Sequence, residues 1–365
     1  MIFGIPKELS QFRDIPESRV GLCPPGVKEL ALLGARVYVE SKAGEKAGFS
    51  DAEYEAAGGT VVYSKEEIYR RADIVLKVRI PQPEEYPLIK DHQAVTGFMH
   101  LVTAPGEFIR TAEQTKITII SYEEIRKEDN RHPILIPMSE VAGKLAVQIA
   151  GRMLESDGKG RGILLGGIPG IPPAKVAILG AGTLGFNAAV SFAAIGANVK
   201  ILDINRDRLE ALPAYTSGMK ITPLFSSRMT IEKLLPSTDV LIGAVSISGG
   251  RTPFLVTKEM VASMPPGSVI LDFSIDQGGC VETAKISPAG KFIYSVENVI
   301  HFCMPNATTL VARTASQVLT MALIPYLKLI AELGFEEAIH GIPDLQNGIC
   351  CEQGLMKRSV QHELV

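Results

Sequence analysis

The sequence predicts an α/β protein with two doubly wound parallel-sheet domains joined by long helices. Three observations predict it: strands spaced by helical stretches in both halves, a glycine-rich turn between a strand and a helix, and a composition shift near residue 160. A chain of 365 residues also exceeds what one hydrophobic core usually organises. Hydrophobic residues make up 46% of it, enough to offset the entropy of ordering and to exclude disorder as the main state. Lysine and arginine number 37 against 40 acidic residues, and a net charge of −3 argues against a nucleic-acid or polybasic membrane surface.

In the first half, residues 35–40 read as a strand, 51–57 as a helix, 60–63 as a strand and 74–78 as a buried strand. Ser64 and Glu67 form a capping box that opens a helix toward Arg71. Ser139 is the predicted N-cap of a long helix, since Val141, Leu145, Ile149 and Met153 recur at every fourth position. That helix bridges two domains and runs out in the glycine- and proline-rich stretch 158–173. A second unit follows, with strands at 176–179, 198–202, 240–244 and 268–272 and helices at 184–195 and 206–212. The chain turns helical again from about 315 to 332, a segment of the kind that returns to the first domain. The predicted boundaries are 1–135 plus about 312–365 for one domain and 136–311 for the other.

Cys23, Cys280, Cys303, Cys350 and Cys351 have neither the density of a disulfide scaffold nor metal-ligand spacing, and the Cys350–Cys351 pair reads as incidental. The N-terminus lacks the pattern of a signal peptide, and the apolar run 318–331 is broken by Pro325, Tyr326 and Lys328. The expectation is a cytoplasmic chain with no membrane partner.

The strongest local signal is Gly180-Ala-Gly182-Thr-Leu-Gly185, which follows a strand, opens a helix, and has Asp203 at the end of the next strand. Gly180 permits the turn, Gly182 lets backbone approach a pyrophosphate, and Gly185 lets helix and strand pack closely. Asp203 can accept both ribose hydroxyls and repels a 2′-phosphate, which favours NAD; Arg206 and Arg208 nearby temper that preference.

Elsewhere, Lys77 lies inside an apolar strand stopped by Pro81, where a charge needs a partner such as a substrate carboxylate or must face solvent. His100 falls in the strand-like run 96–102, either as a core histidine or as an acid–base group. Arg19 offers a planar fork for a carboxylate. Asp272 and Asp276 flank the carboxyl end of a strand in the nucleotide unit; one is a functional candidate and the other a turn residue.

Collinear stretches carry a resemblance: Gly4-Ile-Pro-Lys-Glu8 with Arg19-Val, Gly48-Phe-Ser-Asp51, Leu76-Lys-Val78, Met99-His-Leu101, Pro137-Met-Ser-Glu-Val-Ala-Gly143, Gly166-Gly-Ile-Pro-Gly-Ile-Pro-Pro173, Leu202-Asp-Ile-Asn205 and Ile275-Asp-Gln-Gly-Gly-Cys280. The chain resembles the alanine dehydrogenase branch of the alanine dehydrogenase/pyridine-nucleotide transhydrogenase family. The resemblance implies two Rossmann-like domains, one for substrate and one for NAD, in a homo-oligomer, a hexamer or a dimer. It implies reversible oxidative deamination of L-alanine to pyruvate and ammonia. Arg19 and Lys77 would bind the substrate carboxylate, with Lys77, His100 and Asp276 as the catalytic set. Ser139, Asp203, Arg208, Ser226 or Ser227, Val245 to Ile247 and Asn306 would contact NAD, with no metal.

Two departures stand out. Relatives usually read Asn-Met-Pro where this chain has Asn306-Ala307-Thr308, and residues 11–18 form a longer loop before Arg19. Two rival readings follow: a related dehydrogenase that takes a larger amino acid or reductively joins an oxoacid and an amine, or a non-catalytic NAD-binding or transhydrogenase-like subunit.

Overall fold

The computed structural model describes residues 1–10, 16–247, 250–286 and 291–357. The chain divides into two compact units, 1–138 with 308–365, and 139–307. It enters the second unit within the helix Leu135–Met153 and leaves it at Ala307.

In chain order the strands of the first pass are β1 (Ile2–Ile5), β2 (Arg36–Glu40), β3 (Thr60–Val62), β4 (Ile74–Arg79), β5 (Ala94–Phe98) and β6 (Thr118–Ser121). The second unit contributes β7 (Lys175–Leu179), β8 (Asn198–Asp203), β9 (Ile221–Phe225), β10 (Val240–Gly243), β11 (Val269–Asp272), β12 (Ile293–Val296) and β13 (Val299–Phe302). Two more, β14 (Ile349–Glu352) and β15 (Leu355–Met356), return to the first unit.

The first sheet runs β15-β14-β6-β5-β4-β1-β2-β3 and the second β12-β13-β11-β10-β7-β8-β9. Within each, the parallel core has the doubly wound order 3-2-1-4-5-6, so the fold is α/β with two mostly parallel, Rossmann-like sheets. Among the described residues the antiparallel strands sit at the rims, where β14 pairs with β6 and β15, and β12 with β13. Parallel strands are covered on both faces, and β4 accordingly alternates between two cores. Ile74, Leu76 and Val78 join Phe3, Val37 and Leu323, while Val75 joins Val95, Ile119 and Phe108. In such sheets ligands collect beyond the carboxyl ends of the strands at the order reversal. Those reversals lie at β1/β4 in the first unit and β7/β10 in the second.

Several local readings shift by small amounts with clear causes. The long helix begins at Leu135, because Pro137 fits in a first turn whose N–H groups need no partner within the helix. Ser139 therefore lies inside that helix and is not its N-cap. Ser64 caps the helix Lys65–Arg71 by accepting from the Glu67 N–H. The strand before His100 stops at Phe98, and His100 itself takes a left-handed φ of 43°. The segment Ala307–Leu333 is long and apolar enough to cross a membrane by length and composition alone. Its helix Ala312–Leu333 nonetheless buries Ala315, Leu319, Leu323 and Ile330 in the first unit's core.

All five cysteines are buried free thiols. Both Cys350 and Cys351 lie in β14, where burial pushes their thiols up to about 12 and about 11 and disfavours the reactive thiolate.

Candidate active site

In the second unit the helix Thr183–Ala194 starts directly from the glycine turn after β7, with Gly182 at its N-cap and no side chain capping it. Gly180 has φ 102°, and a Cβ there would lie 2.4 Å from the Ala244 carbonyl. A Cβ on Gly185 would lie 1.9 Å from the Gly180 carbonyl, so only glycine allows this turn to close on its helix. At Gly182 a Cβ would project into open space, where a phosphate could meet bare backbone.

Asp203 is buried at the end of β8, accepting from the Ala181 N–H at 2.7 Å and the Asn205 N–H at 2.8 Å. It therefore braces the glycine turn, and each carboxylate oxygen keeps a further lone pair for a ribose hydroxyl. Arg208, 57% exposed, stands 3.5 Å from that carboxylate. Ser226 donates its backbone N–H to the Asp203 carbonyl. Ser227 instead uses its hydroxyl to cap the helix Arg228–Leu234, which makes Ser226 the better ligand candidate of the two.

Beyond β10, the Val245 N–H donates to Ser274 Oγ. Ile247 is clamped on both backbone groups by the Gln277 side chain. Asp272 is buried and accepts from the N–H groups of Ser274, Cys280 and Val281, so it is the turn residue. Asp276 is part exposed and accepts from the Asn306 N–H at 3.3 Å. The amide Nδ2 of Asn306 is buried with no partner among the described residues. The bare glycine turn and this orphaned donor both fit a dinucleotide.

In the first unit the carboxyl edge gathers charge. Lys77, 0% exposed, places its ammonium 2.9 Å from Glu85 and 3.1 Å from Glu8. Tyr69 adds its hydroxyl to Glu85, and Lys65 lies 3.5 Å from the same carboxylate. Burial pushes Lys77 down, but Glu8 and Glu85 outweigh it and hold the ammonium above its ordinary value. Burial likewise pushes Glu85 up, yet Lys77, Lys65 and the Gln82 N–H bring it below the usual carboxylate range. For Glu8 burial prevails, and its carboxyl is raised. The partners of this buried charge are thus two glutamates of its own unit, which a substrate carboxylate would have to share.

Arg19 donates from Nε and Nη2 to Glu17 at 2.8 and 2.6 Å, and from Nη1 to Thr308 Oγ1 at 3.0 Å. Its segment passes against β4, where a Cβ on Gly21 would lie 2.3 Å from the Leu76 carbonyl. Burial pushes Glu17 up, but Arg19 outweighs it with help from Arg79, and the carboxyl ends below its ordinary value. Arg79, at the end of β4, is thus a cation beside the Arg19–Glu17 pair that the sequence reading missed. A bulge in β4 between Leu76 and Arg79 re-aims the strand end, and the one sequence sign of it was a second basic residue just before Pro81.

His100 follows β5 and donates its backbone N–H to Glu123 at 2.6 Å. Its ring Nδ1 lies 3.8 Å from the same carboxylate, and the ring stacks on Phe98. Ala307 is 4% exposed, so the small residue at this departure is packed over by protein. Of residues 11–18, positions 11–15 lie outside the described residues. Among the described residues, no group of three or more His, Cys, Asp or Glu could hold a metal.

Two doubly wound units, one opening on a bare glycine turn and the other bearing paired guanidiniums and a histidine at its carboxyl edge, define a dinucleotide-linked oxidoreductase. The family patterns described as alanine dehydrogenase/PNT, N-terminal and C-terminal domains, match residues 4–142 and 146–359. The chain belongs to the alanine dehydrogenase/PNT family.

Alanine dehydrogenase of Methanococcus maripaludis is 39% identical over 350 residues, covering 96% of this chain and 92% of that protein. That of Bacillus subtilis is 39% identical over 355 residues, covering 97% and 92%. A solved L-alanine dehydrogenase superposes with a TM-score of 0.92 at 38% identity, covering 100% and 99% of the two chains. A transhydrogenase from Sinorhizobium meliloti shares the fold, with a TM-score of 0.82 at 24% identity over 98% and 100%.

Proposed function

We propose that this chain catalyses the reversible, NAD-dependent oxidative deamination of L-alanine to pyruvate and ammonia. The observation that carries the reading is the likeness to alanine dehydrogenases along nearly the whole chain, through both units. The first unit, 1–135 and about 312–365 in the sequence reading, serves the amino acid, and 136–311 serves NAD. The same reading makes the protein a cytoplasmic homo-oligomer, a hexamer or a dimer.

Alanine, NAD⁺ and water give pyruvate, ammonium, NADH and a proton. When bound, NAD supplies the acceptor for the hydride on the substrate's α-carbon. The Gly180–Gly185 turn would take its pyrophosphate, Asp203 and Ser226 its adenosine ribose, and Asn306 a polar group near the reacting end.

Arg19 and Arg79 attract the substrate carboxylate, which is drawn to paired guanidiniums as Glu17 is. Lys77 supports them from within by fixing β4 against Glu8 and Glu85. His100, set at the strand end by Glu123, exchanges protons with the substrate nitrogen and oxygen. Asp276 orients the water that replaces the nitrogen.

Because the amine must be unprotonated, NADH formation with L-alanine should rise toward alkaline pH, and pyruvate with ammonium should consume NADH. Absence of both reactions, in protein that binds NADH, would overturn the reading. Arg79→Met should raise the KM for alanine and pyruvate about 10- to 100-fold, the scale of a lost charge-assisted hydrogen bond. NADH affinity should stay unchanged; an unmoved KM would remove Arg79 from the site.

A further inference from the structure

We propose that Thr308 is a positioning residue that aims Arg19, and that it belongs to a ladder of hydroxyls holding the arginine's segment in place. The inference rests on the reading of Arg19 as a carboxylate grip. Residues 16–20 have no regular structure, so their backbone groups need partners other than a sheet ladder. The returning chain, almost three hundred residues later, supplies hydroxyls to this segment and its continuation. Thr309 Oγ1 accepts from the Ser18 N–H at 2.8 Å and donates to the Pro16 carbonyl at 3.0 Å. Ser316 Oγ accepts from the Val20 N–H at 3.0 Å, and Thr320 Oγ1 from the Cys23 N–H at 2.8 Å.

Ser316 and Thr320 lie one helical turn apart on the helix Ala312–Leu333, on a buried face. They fix where the segment runs. Thr308 is the member that touches the guanidinium itself, accepting from Nη1 at 3.0 Å while Glu17 takes Nε and Nη2.

An arginine held on both faces of its fork is pre-organised, so little rotamer freedom is lost when a carboxylate arrives.

The experiment compares Thr308→Val, Thr308→Ser, Thr308→Ala and Arg19→Ala in the full chain. It measures KM and kcat for pyruvate, NADH affinity by fluorescence, and thermal unfolding. Thr308→Val and Thr308→Ala should raise the pyruvate KM about tenfold, the scale of one hydrogen bond to a charged group, with kcat changed less than KM. Thr308→Ser should restore KM to within about twofold of the parent, with NADH affinity unmoved in all three and the unfolding temperature lowered only in Thr308→Val and Thr308→Ala, which remove a buried hydrogen bond. A pyruvate KM unchanged in Thr308→Val while Arg19→Ala raises it overturns the positioning role alone. Equal damage from Val, Ala and Ser also overturns it, because the hydroxyl would then be irrelevant. An unchanged KM in Arg19→Ala overturns the carboxylate reading and the positioning role together.

Discussion

Lys77→Met is expected to destabilise the first unit by about 3–5 kcal/mol, because it leaves Glu8 and Glu85 buried without their shared counter-ion. The urea midpoint should fall, and part of the loss should return in Lys77→Met/Glu85→Gln, where one stranded carboxylate is neutralised. Recovery is the informative arm, since a lysine that served substrate alone would gain nothing from a change at Glu85.

The pH dependence has a definite sign for each group. Lys77, raised in the folded chain, contributes stability that is full below about pH 10.4 and lost as pH rises through its folded value. Glu85, held down, contributes stability that is full above about pH 4.3 and lost on acidification. Glu8, raised by burial, has the opposite sign to Glu85, its contribution being full at low pH and lost as pH rises. A variant as stable as the parent would show that the two glutamates do not depend on this ammonium.

His100→Gln should lower kcat by about 10²- to 10⁴-fold, the range for losing a positioned acid–base group. NADH affinity and stability should change little, because the ring is part exposed and its contacts are a stacked Phe98 and a 3.8 Å approach to Glu123. The loss should appear in both directions of the reaction, since the same group must take and return the proton. Steady-state kinetics across pH checks it, and an unchanged kcat would reduce His100 to a left-handed turn residue after β5.

What the sequence reveals of this molecule follows the range over which each interaction acts. The glycine turn is legible because its strand, three glycines and acidic partner lie within a single βαβ unit, and the backbone geometry at Gly180 and Gly185 admits no other residue. Lys77 is legible as an unusual buried charge, but its partners are not. Glu8 reaches it only because β1 lies beside β4, and Glu85 only because the chain turns back after Pro81.

Arg79 is hidden for a related reason: a bulge redirects the strand end, and no periodicity announces a bulge. Ser139 is misread as a cap because a serine before an apolar helix carries that signal, whereas Pro137 allows the helix to start at Leu135. Asp272 and Asp276 look alike in sequence, and three converging N–H groups separate the turn residue from the part-exposed acid. The short rim strands β14 and β15 carry too few residues to show a period.

The most direct measurement is the fate of the α-hydrogen. L-alanine deuterated at Cα should be turned over with NAD⁺ and the reduced nucleotide weighed by mass spectrometry. Direct hydride transfer from alanine predicts one deuterium in each NADH formed and a slower rate than with unlabelled alanine when that step limits turnover. Reduced nucleotide without the label, or none at all from protein that still binds NADH, would contradict it.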